Sequence, residues 1–200
     1  RLAKVNTEDH RFSGVVQLKN GRMLVAASLI PDEPSQKLIV LDSLGLRDTT
    51  IDLSARFPPD TGGYETQINC LHVFPNGKIL VGGWLRYYNG SPVKGLIRLN
   101  PDFSLDPTFQ NNSITTGIIK QLKVQDDGKI IIAGYFSTVG GQPHKHIARL
   151  LANGQVDPSF TSGTGFTIWP AESLTFNSIE TLNNGKIVVG GVFDMYQDLS

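Results

Sequence analysis

Asp126-Asp127-Gly128-Lys129-Ile130-Ile131-Ile132-Ala133-Gly134 reads as a tight turn followed by a buried strand. Three other stretches say the same thing: Asn20-Gly21-Arg22-Met23-Leu24-Val25, Asn76-Gly77-Lys78-Ile79-Leu80-Val81 and Asn184-Gly185-Lys186-Ile187-Val188-Val189. The turn glycines lie 56, 51 and 57 residues apart. Asn-Gly or Asp-Gly between apolar runs predicts a type I′ hairpin turn, because these residues tolerate positive φ. The run that follows is β-branched and ends in small residues, so strand is favoured over helix. Those small pairs, Ala26-Ala27, Gly82-Gly83, Ala133-Gly134 and Gly190-Gly191, leave room for another backbone to approach.

A second landmark follows each turn. Arg98 precedes Asp106-Pro107-Thr108-Phe109, and Arg149 precedes Asp157-Pro158-Ser159-Phe160, with the aspartate eight and the phenylalanine eleven residues on. Val40, Asp48 and Ile51 keep the spacing with weaker identities, and so do Arg1, Asp9 and Phe12. The recurring aspartate before proline or another turn residue reads as a turn device, its carboxylate accepting backbone amides. Arg98 and Arg149 are expected to be snorkelling or ion-paired, and Lys78, Lys129, Lys186 and Arg22 to be solvated.

Each unit therefore reads as four short strands. A half-polar strand precedes the turn, the Ile/Val run follows it, and a variable loop leads to a third strand ending at Leu41, Leu99 or Leu150. A fourth is expected around Leu46, Leu105 and Val156. Four antiparallel strands at ~50 residues per unit is the size of a β-propeller blade. The fold class expected is all-β, a propeller of about four blades, closed within these residues or part of a larger, for example seven-bladed, ring. As one domain over residues 1–200, it divides into a blade end at 1–12, blades at 13–51, 69–109 and 119–160, and a blade start at 177–200.

These motifs carry a resemblance to the delta-sixty repeat family of β-propellers. It rests on DDGKIIIAGYFSTVGG, HIARLLANGQVDPSF, PNGKILVGG, LIRLNPDFSLDPTF and NNGKIVVGGVFD. The first unit departs from the pattern, with Ala26-Ala27 for Gly-Gly and Val40 at the arginine place. The resemblance implies a scaffold or binding module of bacterial surface, secreted or bacteriophage structural assemblies. It supplies no catalytic residues.

Composition narrows the function classes. Eighteen basic and eighteen acidic residues balance, which argues against a nucleic-acid footprint and against charge-driven lipid binding. No apolar run reaches the ~20 residues of a membrane span. Residue 1 is an arginine with no leader pattern, which reads as a mature product or a piece of a longer chain. The single cysteine, Cys70, reads as a buried, inert thiol.

No catalytic constellation is evident, so no enzyme activity, metal or cofactor is expected; a hydrolase with its active site in the central channel is the remaining enzyme reading and would need two or more convergent carboxylates there. His144 and His146 would share a strand face, but no third ligand accompanies them. Aspartates repeated once per unit point to turns, since acid–base pairs need unlike environments. The candidate binding residues lie in the loops after the second strands: Arg86, Tyr87, Tyr88 and Asn89, then Ser137 and Thr138, then Met195 and Tyr196. Trp84, Phe136 and Phe193 stand at the base of these loops. Aromatics beside amides and hydroxyls suit protein hot spots or sugar stacking. The expected partners are proteins or surface glycans, with assembly into a larger complex at a cell surface, in a secreted form or in a virion appendage such as a phage tail.

Overall fold

The computed structural model describes residues 11–29, 38–58, 66–110, 117–163, 165–167, 174–193 and 195–196. Within them the chain is built from strands, with one short 3-10 turn at Ser54–Arg56. The first blade holds β1 (Arg11–Gln17), β2 (Met23–Leu29) and β3 (Leu38–Leu41). The second holds β4 (Gln67–Val73), β5 (Ile79–Trp84), the hairpin β6 (Tyr87–Tyr88) and β7 (Ser91–Pro92), and β8 (Leu96–Leu99). The third repeats this with β9 (Ile118–Val124), β10 (Ile130–Tyr135), β11 (Thr138–Val139), β12 (Gln142–Pro143) and β13 (Ile147–Leu150). In the fourth, β15 (Thr175–Thr181) pairs with β16 (Ile187–Val192), and β14 (Phe166–Thr167) pairs with β17 (Met195–Tyr196).

Each of the first three blades is an antiparallel sheet with the Ile/Val strand in the centre: orders β1-β2-β3, β4-β5-β8 and β9-β10-β13. The expected fourth strand is reduced to single bridges, Leu41 to Arg47, Leu99 to Leu105 and Leu150 to Val156. Proline follows within two residues in the second and third blades, which stops the ladder there. Phe12 lies inside β1, paired with Ala27, so its backbone belongs to the first blade's inner strand. The other units have seven or more residues between that phenylalanine and the next first strand; here none intervenes. Arg1 and Asp9 lie outside the described residues.

The turns differ from the expected type. In each, only the glycine has positive φ: +80° at Gly21, +84° at Gly77, +81° at Gly128 and +81° at Gly185. The glycine amide donates three residues back, as Gly77 does to the Phe74 carbonyl. This is a type I turn closed by a left-handed glycine, the three-residue hairpin, and not type I′.

The blades pack on one another through alternate residues of the central strands. Leu24, Leu38 and Val40 of the first blade meet Ile79, Val81, Ile97 and Leu99 of the second. Leu80 and Leu96 meet Ile130, Ile132 and Leu150 of the third. Ile131, Ala133 and Ile147 meet Ile179, Ile187 and Val189 of the fourth. Each such buried aliphatic contributes about 1.5–3 kcal/mol. β1, β4, β9 and β15 also run against one another, forming the inner rim. Stacked radial sheets of this kind make a β-propeller.

A bulge marks every inner strand. Ser13, Asn69, Lys120 and Asn177 are the extra residues. Opposite them a Cβ at Gly83, Gly134 or Gly191 would lie about 2 Å from a carbonyl oxygen, so the expected close backbone approach is real. Where Ala27 takes that place, the ladder carries a further register shift between Arg11 and Phe12. The bulge also bonds outward. Ser13 donates to the Ile68 carbonyl of the next blade, and the Asn69 amide to the Ile119 carbonyl, at 2.8 Å.

Candidate functional site

The loops leaving the second strand exit from one end of the blades, and two of them fold as small hairpins. Asn89 and Gly90 take φ of 49° and 77°, and Gly140 and Gly141 take 57° and 79°. These are the two-residue turns with positive φ at both positions, and the Asn89-Gly90 and Gly140-Gly141 pairs were the signal for them. The hairpins are closed by Val93 donating to the Arg86 carbonyl and His144 to that of Ser137.

A two-residue strand sends its side chains to opposite sides. Tyr88 and Val139 go inward; Tyr87 stays half-buried and Thr138 exposed. Tyr88 is therefore withdrawn from the binding set. It is 1% exposed, its hydroxyl donates to the Phe103 carbonyl at 2.6 Å, and its ring meets Phe57 edge-on at 4.9 Å. Burial pushes its hydroxyl up to about 12.

Of the remaining candidates, Arg86, Asn89, Ser137 and Thr138 are exposed. The Arg86 guanidinium lies 5.1 Å over the half-buried Trp84 ring. The Asn89 backbone N–H donates to the Arg56 carbonyl at 2.7 Å, fastening the hairpin to the preceding connection. Met195 and Tyr196 form β17, whose backbone pairs with the connection strand β14 and not with a hairpin of its own. Phe136 is buried, and Phe193 packs 4.7 Å from Phe166, so these two serve the core. Residues 84–95 and 135–146 contain no acidic residue and expose Arg86, Lys94 and Lys145, which gives this end of the two middle blades positive charge.

The histidines do other work. His146 holds φ of 69°, where the second blade has Gly95 at 73°, and its Nδ1 lies 3.0 Å from the Gly134 carbonyl. His144 is buried, and its Nδ1 has no hydrogen-bond partner among the described residues. Burial lowers the pKa of both and of His72. No group of three metal-ligating side chains occurs among the described residues. The Cys70 thiol is buried, and burial pushes it up to about 12.

The repeated aspartates form a latch in each of the first three blades. Asp106 accepts from the Thr108 amide and hydroxyl through Oδ1, at 3.0 and 2.7 Å. Its Oδ2 takes Arg98 Nε at 2.6 Å and Lys78 Nζ at 2.8 Å. Asp157 does the same with Ser159, Arg149 and Lys129. Burial would raise the Asp106 carboxyl, but Lys78, Thr108 and Arg98 outweigh it and hold it far below the usual range. Lys78, Lys129 and Arg22, expected to be solvated, are thus ion-paired, because the hairpin returns them across the blade to the aspartate. In the first blade Arg22 reaches Asp48 at 3.0 Å, so a lysine-to-arginine change at the turn serves where Val40 has replaced the strand arginine. Arg98 also lies 4.7 Å over the Phe109 ring and donates to the Ala152 carbonyl of the next blade. Each aspartate is held in its own blade, so these carboxylates do not converge as a catalytic pair would.

Residues 75–109 and 125–160 match the profile described as "Domain of unknown function (DUF5122) beta-propeller". No curated protein matches. A solved structure of a protein of unknown function from Bacteroides caccae is similar over 74% of this chain and 81% of that chain, at 11% identity and a TM-score of 0.29. The chain is a β-propeller, and its two middle blades carry the profile of a β-propeller domain whose function is unknown.

Proposed function

We propose that this propeller is a non-catalytic scaffold and protein-binding module, working in a surface, secreted or virion assembly as the resemblance to delta-sixty repeats implies. One observation carries the binding reading. Neighbouring blades project matched hairpins from the same end, each fixed by a buried residue and offering polar groups outward. Rigid strands carrying variable exposed loops are the usual platform for recognition. The acid-free hairpins favour a partner surface rich in Asp and Glu.

A glycan partner is the second reading, favoured by the Trp84–Arg86 stack beside Tyr87 and Asn89. A triple variant, Arg86→Ala with Tyr87→Ala and Thr138→Ala, tests both. Surface proteins retained by the wild-type chain should be lost at least about tenfold, with melting unchanged, since hot-spot truncations cost 2 kcal/mol or more. Equal retention removes this face. Signal on a glycan array that the variant lacks transfers the face to the second reading.

A further inference from the structure

We propose that the groove between the first and second blades, at their turn end, binds a small aromatic carboxylate. The groove lies opposite the hairpins, which leave the far end of the second strands. It is a hollow of about 210 Å³, with apolar walls that include Leu18, Ile51, Pro101 and Phe103. It exists because this joint lacks what fills the next one. Between the second and third blades the Phe109 ring lies over Gly154, where a Cβ would come within 2.9 Å of it. The Arg98 guanidinium stacks 4.7 Å from that ring. Counted along the units, Val40 stands at the place of Arg98, Ile51 at that of Phe109 and Leu18 at that of Phe74. The Phe103 ring, at the place of Gly154, is a wall of the hollow and does not close it. An apolar cavity of about 150 Å³ holds a benzene ring, so this one has room for a ring and a head group.

The rim selects a negative head group. Lys19 stands where the second and third blades have Pro75 and Asp126. Its stem crosses the joint onto Gly77, with Cδ 3.6 Å from where a Cβ would stand. Its ammonium makes no ion pair among the described residues. Asn20 and Asn76, also on the rim, commit their Oδ1 atoms to the N–H groups of Arg22 and Lys78. Their NH₂ ends are left as donors. No carboxylate lines the groove. Asp48 pairs with Arg22, and Asp102 accepts from the Ser104 N–H and hydroxyl, each within its own blade. An apolar hollow with a few polar groups at its mouth is the usual form of a small-ligand site. The ring of the ligand lies against Ile51 and Phe103, and its carboxylate meets Lys19 and the two amides.

Titration of the 200-residue chain with sodium benzoate, followed by backbone amide shifts in nuclear magnetic resonance, tests this. Benzoate should saturate the shifts of the two turns around Gly21 and Gly77, with Kd on the order of 1 mM, the range for a ligand of about nine heavy atoms. Benzyl alcohol, which keeps the ring without the charge, should bind about fivefold more weakly, the upper value of an exposed charge pair. Lys19→Gln, at an exposed position, should weaken benzoate by the same factor and leave benzyl alcohol unchanged. Ile51→Phe, which restores the residue of the second blade, should abolish binding of both. Absence of saturable shifts in these turns at about twenty times the expected Kd overturns the proposal. Benzoate binding that Lys19→Gln leaves intact overturns it too, since the rim then selects nothing.

Discussion

At the scale of single residues the latch decides most. Asp106 is 1% exposed, and its Oδ2 holds two cations while Oδ1 caps the turn. Breaking one side of a buried pair leaves an uncompensated charge, which costs more than the pair contributes. Asp106→Asn is therefore expected to lower unfolding stability by on the order of 3 kcal/mol, read from urea midpoints. Asp48→Asn in the first blade should cost less, because among the described residues Asp48 pairs with one cation, Arg22, and lies nearer solvent. Equal losses would show that the second cation and the burial add nothing. The eight-residue spacing of arginine and aspartate was visible in the sequence. The lysine's part was not, because a lysine after a turn glycine looks like any solvated charge until the hairpin's return path is known.

At the scale of elements the turn before the aspartate is instructive. Gly45 and Gly154 hold φ of 80° and 87° there, but the second blade has Phe103 at 63°. Its ring is buried in the joint with the first blade, and Tyr88 bonds its carbonyl. Phe103→Gly should cost about 2–4 kcal/mol: a buried aromatic lost, about 3–5 kcal/mol, against about 1 kcal/mol of left-handed strain relieved. Gly21→Ala, with open space around it, should cost only the strain, about 1 kcal/mol. A Phe103→Gly protein as stable as wild type would limit the ring's packing to what offsets the strain, about 1 kcal/mol. Strand existence was legible because β-branched runs and turn residues agreed. Turn type was not, since Asn-Gly fits both type I′ and the three-residue hairpin, and the choice depends on how strand twist and length register. The Tyr87-Tyr88 pair was ambiguous for a related reason. Two adjacent tyrosines look alike in sequence, and only the hairpin's orientation sends one into the core.

At the scale of the molecule, stability should depend on pH in two stages. His72, His144 and His146 have lowered pKa values from burial, so the folded state binds fewer protons than the unfolded one below ~6.5. Their contribution is complete above that value and is lost as pH falls through it toward the folded values. Asp106 and Asp157, also lowered, keep their contribution above ~3.9 and lose it only below. Urea midpoints should be level above pH 7, decline between pH 6.5 and 5, and drop further below pH 4; a level line from pH 7 to 5 would remove the histidines from the account. Blade identity was readable from the sequence because each unit repeats the same local choices. The recognition surface was readable only as a region, since exposure within a loop depends on neighbouring blades. The stitches described above all run one way: Ser13, Asn69 and Arg98 each reach forward to a carbonyl of the following blade. A unit thus gives on one side and receives on the other, so the blade series has a direction: reversing one unit would bring donor against donor and carbonyl against carbonyl at both of its joints.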